Sequence, residues 1–159
     1  MANYIYPAPG VTGVEATLTL EIDADATNDA MSVPSLQDIT VNAANDVFTW
    51  TQLDEASKKQ IATTATNSLS MNLVLDQTTF FGDGTSAAGT ASLKGIFGMS
   101  SDKDLVDFEL YLGDESDGST GKTISGLGYI TGLAPTVSAD APVWVTPITI
   151  TVTGDYTVA

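Results

Sequence analysis

From Val14 to Ile22 apolar and polar positions alternate without a break. Val14, Ala16, Leu18, Leu20 and Ile22 fall on one side, and Glu15, Thr17, Thr19 and Glu21 on the other. This period of two predicts a half-buried strand. It recurs in Asn67 to Asp76, with Leu69, Met71, Leu73 and Leu75 facing in, and in Asp104 to Leu112, with Val106, Phe108, Leu110 and Leu112 facing in and Asp107, Glu109 and Tyr111 facing out. Gln37 to Ala43 and Val47 to Thr51 read as two short strands parted by a turn at Asn45 and Asp46. Thr123 to Thr131 follows the Gly, Asp and Ser turn at 113–121 and reads as the return strand of a hairpin. Pro142 to Thr153 is the last strand; its phase breaks near Pro147, which belongs at an edge or a bulge because proline cannot donate to a ladder.

A helical signal begins at about Leu53. Thr51 can cap it, Asp54 and Glu55 stand in its first turn, Lys58 and Lys59 follow, and Leu53, Ala56 and Ile61 form an apolar stripe. Lys94 to Met99 is a further short apolar element. The predicted architecture is mainly β: a β-sandwich or partly open barrel of about seven strands with one flanking α-helix. Residues 14–159 form one domain, with long polar loops at 23–36 and 82–92. Residues 1–13 form an arm in which Pro7, Pro9, Gly10 and Gly13 prevent regular structure while Tyr4, Ile5 and Tyr6 offer apolar surface. The plainer reading of that segment is a frayed terminus. The 82–92 stretch, GDGTSAAGTAS, is too long for a tight turn, and loops of that length in a small domain usually serve a contact.

Composition narrows the chemistry. The 159 residues suit a single core, and 43% are hydrophobic, enough to fill it, but only 16% are charged, so Thr, Ser, Asn and Gly must cover much of the surface. Twenty acids against five lysines give a formal charge of −15, which excludes gripping nucleic acid through its phosphates. With no His, Cys or Arg, the chain has no Ser-His-Asp or Cys-His nucleophile pair, no common zinc site, no arginine clamp and no disulfide. No apolar run reaches the length of a membrane span, and the start MANYIYPAPG lacks the features of a signal peptide, so the mature chain is expected to begin here, made in a cytoplasm.

Three constellations invite chemistry, and each has a plainer reading. Asp23, Asp25 and Asp29, and again Asp114, Glu115 and Asp117, hint at calcium. Counted from Asp23, however, the EF-hand glycine and glutamate positions hold Asn28 and Pro34, so solvated loop acids are expected and no metal site. GSTGK at 118–122 has the wrong glycine spacing for a phosphate loop, and Thr123 opens a strand rather than the helix that would hold phosphate. Asp107 and Glu109 project from one strand face as a glycosidase acid and base would, but no aromatic platform for a sugar lies nearby. No enzyme activity and no cofactor are expected.

The stretch WTQLDEASKKQIATTATNSLSMNLVLD, residues 50–76, resembles the middle of phage major tail proteins, the tube-forming subunits of long-tailed bacteriophages. That family shows a Thr-x-Leu-Asp lead-in to a short helix, matched by Thr51, Leu53 and Asp54, then a turn and an alternating strand ending in an acid, matched by Asn67 to Asp76. Residues 128–155 are similar to the family's C-terminal strand, small-residue connection and final strand closing in Thr-Gly-Asp, where Gly154 sits. The resemblance spans about residues 14–155. It departs at the corner after the helix, commonly Pro-Gly, where this chain has Ala62 to Ala65.

The resemblance implies a non-catalytic tail tube subunit that forms hexameric rings with an inner β-barrel, stacked into a conduit for double-stranded DNA. It also implies a place in the virion tail, assembly in the host cytoplasm, and partners that include a tape measure protein and the tail terminator and distal tail proteins. An acidic wall would let the DNA pass without binding. Lumen-facing candidates are Glu15, Glu21, Asp107 and Glu109, whose polar strand sides equally suit outside solvent. Candidates for contacts between rings are Tyr4, Ile5 and Tyr6 of the arm and Gly82, Asp83, Gly84, Thr85 and Ser86 of the loop. The alternative function is an Ig-like surface adhesion or decoration module binding a carbohydrate or protein partner, which would stay monomeric where a tube subunit forms rings or filaments.

Overall fold

Period-two segments bury one face each, and in this chain those faces meet over one core. The computed structural model describes residues 16–22, 30–34, 36–53, 57–113 and 121–159. The strands are β1 (Ala16–Ile22), β2 (Met31–Ser32), β3 (Leu36–Thr51), β4 (Lys58–Val74), β5 (Val106–Leu112), β6 (Lys122–Leu133) and β7 (Val145–Val158). Two helices, α1 (Gln77–Phe81) and α2 (Ala91–Asp102), lie between β4 and β5. The strands form one antiparallel sheet in the order β2-β1-β5-β6-β7-β4-β3, not closed into a barrel, so the expected mainly β, partly open architecture is what the chain adopts.

The core takes Leu18, Leu20 and Ile22 from β1, Val106, Phe108 and Leu110 from β5, Leu69, Met71 and Leu73 from β4, and Ile148, Ile150 and Val152 from β7. Those of β1, β4 and β5 are positions the alternation assigns inward; those of β7 it leaves unassigned. Phe80 of α1 and Ile96 and Met99 of α2 complete it. Each such side chain contributes about 1.5–3 kcal/mol by leaving water.

Four expectations are corrected. The helix at Leu53 is absent: Lys58 to Val74 is strand, and β3 and β4 form a long hairpin in which Ile61 lies opposite Phe48. Of the expected stripe, Ala56 lies outside the described residues. Local charges compatible with a helix dipole are outweighed by pairing with β3, to which the β-branched run IATTAT is suited. The two short strands at 37–51 are one strand, and Asn45 and Asp46 mark a bulge, seen as a register shift between Asn45 and Val47, rather than a turn. The loop expected over 23–36 contains β2, which pairs Thr19 with Ser32 and Leu20 with Met31, and it yields at Leu36 to β3. Pro147 sits in an interior strand, opposite Asn72 of β4. Its other neighbour β6 ends at Leu133 opposite Ile148, so a missing donor does little harm there.

The expected flanking helix is thus replaced by the α1–α2 unit. Its second helix includes the apolar run Lys94 to Met99 and begins at Ala91, inside the segment read as loop. Asp76, read as a strand end, lies just past β4 and is the N-cap of α1. The arm at 1–13, Glu15, Asp54 and the acids at 23, 25, 29, 114, 115 and 117 lie outside the described residues.

Candidate assembly surfaces

The face of the sheet turned away from the core is mainly polar, broken by Leu127 opposite Asp107 and by the exposed Tyr129, and its composition changes from one end to the other. Glu21 of β1 lies directly opposite Asp107 of β5, and Thr19 opposite Glu109, which in turn faces Ser125 of β6. Register therefore gathers three of the four lumen candidates into one acidic patch; Glu109 is exposed, and Glu21 and Asp107 are half-buried. Toward the other end the face carries hydroxyls and amides. Thr131 and Thr151 share a hydrogen bond of 2.8 Å between their Oγ1 atoms, Asn42 Nδ2 donates to Ser68 Oγ at 3.3 Å, and Asn72 Nδ2 donates to both carboxylate oxygens of Asp38 at 2.9 and 3.0 Å. No group of three or more potential metal ligands occurs among the described residues.

The two ends of the sheet differ in length. β3 pairs with β4 on one side, and its other side is an open edge over Leu36–Thr51. At the opposite end the two-residue β2 covers only Thr19 and Leu20 of β1, with one further bond from Val33 N to Leu18 O at 2.9 Å. A long edge with free backbone donors and acceptors is a template for another strand. Among the described residues its sequence carries two acids, Asp38 and Asp46, and none of the proline or lysine that commonly blunts an edge.

The β3–β4 hairpin also outruns the sheet. β7 accompanies β4 only from Ser68 to Val74, so among the described residues 43–51 and 58–67 pair with each other alone. Phe48, Trp50, Lys59 and Ile61 share one face of this projection, and the rings of Phe48 and Trp50 stack at 5.9 Å. Val47, Phe48 and Ile61 are each more than half exposed, as is Leu53 at the tip. Thr51 and Leu53, matched to a helix lead-in, therefore stand at the end of a hairpin; Gly154, matched to the final strand, has φ +91° in β7. Sequence reading missed Phe48, Trp50 and Ile61 as surface residues. The available signal was the two runs rich in β-branched residues on either side of 52–57, VFTWT with two aromatics and IATTAT with none.

The α1–α2 unit carries the loop candidates. Asp76 caps α1, accepting from Thr78 N at 3.2 Å, Thr79 N at 3.0 Å and Thr78 Oγ1 at 2.6 Å, and these bonds hold its carboxyl below the usual range. Asp83 folds the loop on itself, accepting from Thr85 N and Ser86 N at 2.9 Å each and from Ser86 Oγ at 2.5 Å, and its carboxyl is likewise depressed, most by the Ser86 hydroxyl. Gly82 is pressed against α2, where a Cβ would meet the Leu93 carbonyl; Gly84 and Thr85 are exposed. Lys94 bridges Asp104 at 2.7 Å and Asp102 at 2.9 Å, and these two hydrogen bonds raise its ammonium above the ordinary value. Phe81 and Phe97 lie partly exposed with centroids 6.0 Å apart.

No protein-family model matches the sequence, and no curated protein matches it either. Solved structures do. The chain is similar to one in the helically refined, C6-symmetric tail of an empty gene transfer agent particle, with a TM-score of 0.62, 12% identity and coverage of 89% of this chain and 95% of that one. It is similar to the tail tube of SPP1, with a TM-score of 0.65, 12% identity and coverage of 88% and 74%. It is also similar to a chain from the sheath/tube terminator structure of an extracellular contractile injection system, with a TM-score of 0.60, 12% identity and 97% of both chains covered. An open antiparallel sheet with a paired-helix insert, matched over nearly its whole length to such assemblies, gives this chain the fold of the tail tube proteins of phages and gene transfer agents.

Proposed function

We propose that this chain is the major tube subunit of a virion tail, a structural protein without catalytic role that self-associates into stacked rings. The observation that carries the reading is the unequal pair of sheet ends: a 16-residue open edge at β3 and a barely covered β1 at the other end. One chain's β3 edge extended by the next chain's β1–β2 edge is a head-to-tail contact, and such contacts make a ring when the rotation closes. The sheets then join into an inner barrel without free edges.

The polar sheet face becomes the wall of the bore, with Glu21, Asp107 and Glu109, and Glu15 from outside the described residues, among its acids. Six copies would carry about −90 formal charges, so DNA would pass without the counterion release that makes basic surfaces retain it. Hydroxyls and amides cover most of the rest of the face, with Asp38 as a further acid on it. The exposed part of 82–86 and the N-terminal Tyr4, Ile5 and Tyr6 are the contacts between rings. A tape measure protein inside the bore and terminator and distal tail proteins at the two ends are the further partners. Assembly takes place in the host cytoplasm, and the product resides in the virion tail, where it conducts DNA during ejection.

Negative-stain microscopy of the purified chain at rising concentration tests this. Rings or rods with a central bore are expected. A protein that stays monomeric while binding a glycan or a foreign protein would refute the reading in favour of an adhesion module.

A further inference from the structure

We infer that the fold guards the Asp83–Gly84 link against isoaspartate formation, and that Ser86 is the positioning residue that holds the Asp83 carboxylate out of the reaction. Two Asp-Gly links occur in the chain, Asp83–Gly84 and Asp117–Gly118, and the second lies outside the described residues. In an Asp-Gly pair the glycine nitrogen, unhindered by a side chain, attacks the aspartate Cγ. The N–Cγ bond forms as the Cγ–O bond breaks, the nitrogen's proton and the carboxyl OH leave together as water, and a succinimide ring results. Water then reopens the ring. Addition at Cγ restores aspartate, whereas addition at the former backbone carbonyl of the aspartate leaves the chain running through Cγ, as isoaspartate. The two steps release and consume one water, with no change of oxidation state.

The turn itself calls for glycine at the vulnerable position. Gly84 has φ +68°, and no atom lies within 4 Å of an added Cβ, so backbone conformation rather than crowding selects it. The same loop supplies what opposes the attack. Asp83 Oδ1 accepts from Thr85 N and Ser86 N at 2.9 Å each, and Oδ2 accepts from Ser86 Oγ at 2.5 Å. One carboxyl oxygen must depart as water for the ring to close. Oδ2 departs only by giving up the Ser86 hydroxyl, and Oδ1 only by giving up both amides. Bonds of this kind are charge-assisted and favour the ionised carboxylate, whereas the reacting form carries an extra proton. The depression of the Asp83 carboxyl, to which the Ser86 hydroxyl contributes most, expresses the same preference.

The backbone leading into the link is fixed as well. Asp83 N donates to Ser92 O at 3.0 Å, Gly82 N donates to Thr78 O at 2.9 Å, and Gly82 is packed against the Leu93 carbonyl of α2. Bringing Cγ onto Gly84 N therefore requires the loop to open, which confines the reaction to a minor population of the folded chain. The consequence for a particle rests on the tube-subunit reading. Isoaspartate inserts an extra backbone carbon into 82–86, the segment proposed for contacts between rings, and a virion does not resynthesise its parts.

The test incubates wild type, Ser86→Ala and Ser86→Thr at mildly acidic pH in heavy-oxygen water, both folded and unfolded in urea. Mass spectrometry of the digested chains then reads isoaspartate and incorporated label at Asp83 and Asp117. In folded wild type Asp83 is expected to isomerise severalfold more slowly than in the unfolded chain. Ser86→Ala should raise the folded rate at Asp83 severalfold while circular dichroism and the rate at Asp117 stay unchanged, and Ser86→Thr, which retains the hydroxyl, should stay slow. Equal rates at Asp83 in folded and unfolded wild type would overturn the inference. A Ser86→Ala variant as slow as wild type would overturn the role of Ser86. Neither readout requires association, so a chain that stays monomeric refutes the tube-subunit reading and leaves this chemistry standing.

Discussion

Substituting alanine at Gly95 and at Gly84 contrasts a glycine packed against backbone with one in open space, both at positive φ, +64° and +68°. Gly95 has ψ 176°, a region essentially reserved for glycine, and it kinks α2 where that helix crosses the end of α1. A Cβ there would stand 2.3 Å from Gly82 N and 2.7 Å from the Phe80 carbonyl oxygen. Neither atom can retreat cheaply, since Gly82 N is bonded to Thr78 O at 2.9 Å and the Phe80 side chain is locked in the core. Forcing a non-glycine residue into such a conformation costs about 1–3 kcal/mol, and overpacking costs about 1–3 kcal/mol more. Gly95→Ala should therefore lose about 4 kcal/mol, a large share of the ~5–15 kcal/mol that holds a typical domain folded.

At Gly84 no atom lies within 4 Å of the added methyl, so only the conformational cost of about 1–2 kcal/mol remains. Thermal unfolding followed by circular dichroism, at one protein concentration below that of assembly, reads the difference. At roughly 2–4 °C per kcal/mol for a chain of this size, Gly95→Ala should melt about 8–16 °C below wild type and Gly84→Ala a few degrees below it. Equal losses for the two variants would refute the claim that backbone contact between α1 and α2 sets the identity of Gly95.

Two further outcomes follow from the charged groups of the same unit. Asp76→Ala removes the α1 cap and should cost about 1–2 kcal/mol at neutral pH. Because the Asp76 carboxyl is depressed from 3.8, its contribution is present above that value and is lost as pH falls through the lower folded-state value; urea titrations should therefore find the gap between wild type and variant closing in acid. Lys94→Met should cost about 1 kcal/mol at pH 7, a modest loss because Asp102 is more than half exposed. The Lys94 ammonium is raised above 10.5, so its contribution is complete below that pH and is lost as pH rises through the folded-state value. The two proteins' thermal midpoints should converge at strongly alkaline pH, and a gap that persists there would remove the ion pairs as its cause. Tyr156, raised chiefly by burial, is expected to weaken the wild type over the same alkaline range.

The acidic patch shows how far sequence alone could reach toward the surfaces proposed for assembly. Alternation placed Glu21, Asp107 and Glu109 on polar strand faces, but only the pairing of Glu21 with Asp107 and of Thr19 with Glu109 brings them together. The projection was hidden for a different reason. Leu53, Ala56 and Ile61 fit a helical stripe and the neighbouring charges fit a helix dipole, and these signals masked the β-branched run at 61–66. The segment from Lys58 instead found a complementary strand earlier in the chain, and no window centred on it contains that partner. Asn45 and Asp46 misled in the same way, since a bulge and a turn favour similar residues, and only the strand opposite distinguishes them.

By itself the sequence determined which side chains are buried in β1, β5 and the second half of β4, because period two is a local property and hydrophobic burial follows it. It also determined what chemistry is closed to the chain, since absent side chains catalyse and ligate nothing. Tertiary structure alone decided that 36–51 and 58–74 form one hairpin, that β3 lies open at the end of the sheet, and that Gly82 and Gly95 bring two helix backbones together. Strand partners and close backbone approaches join residues far apart in the chain, and their energies are realised only when the whole sheet has closed around its core.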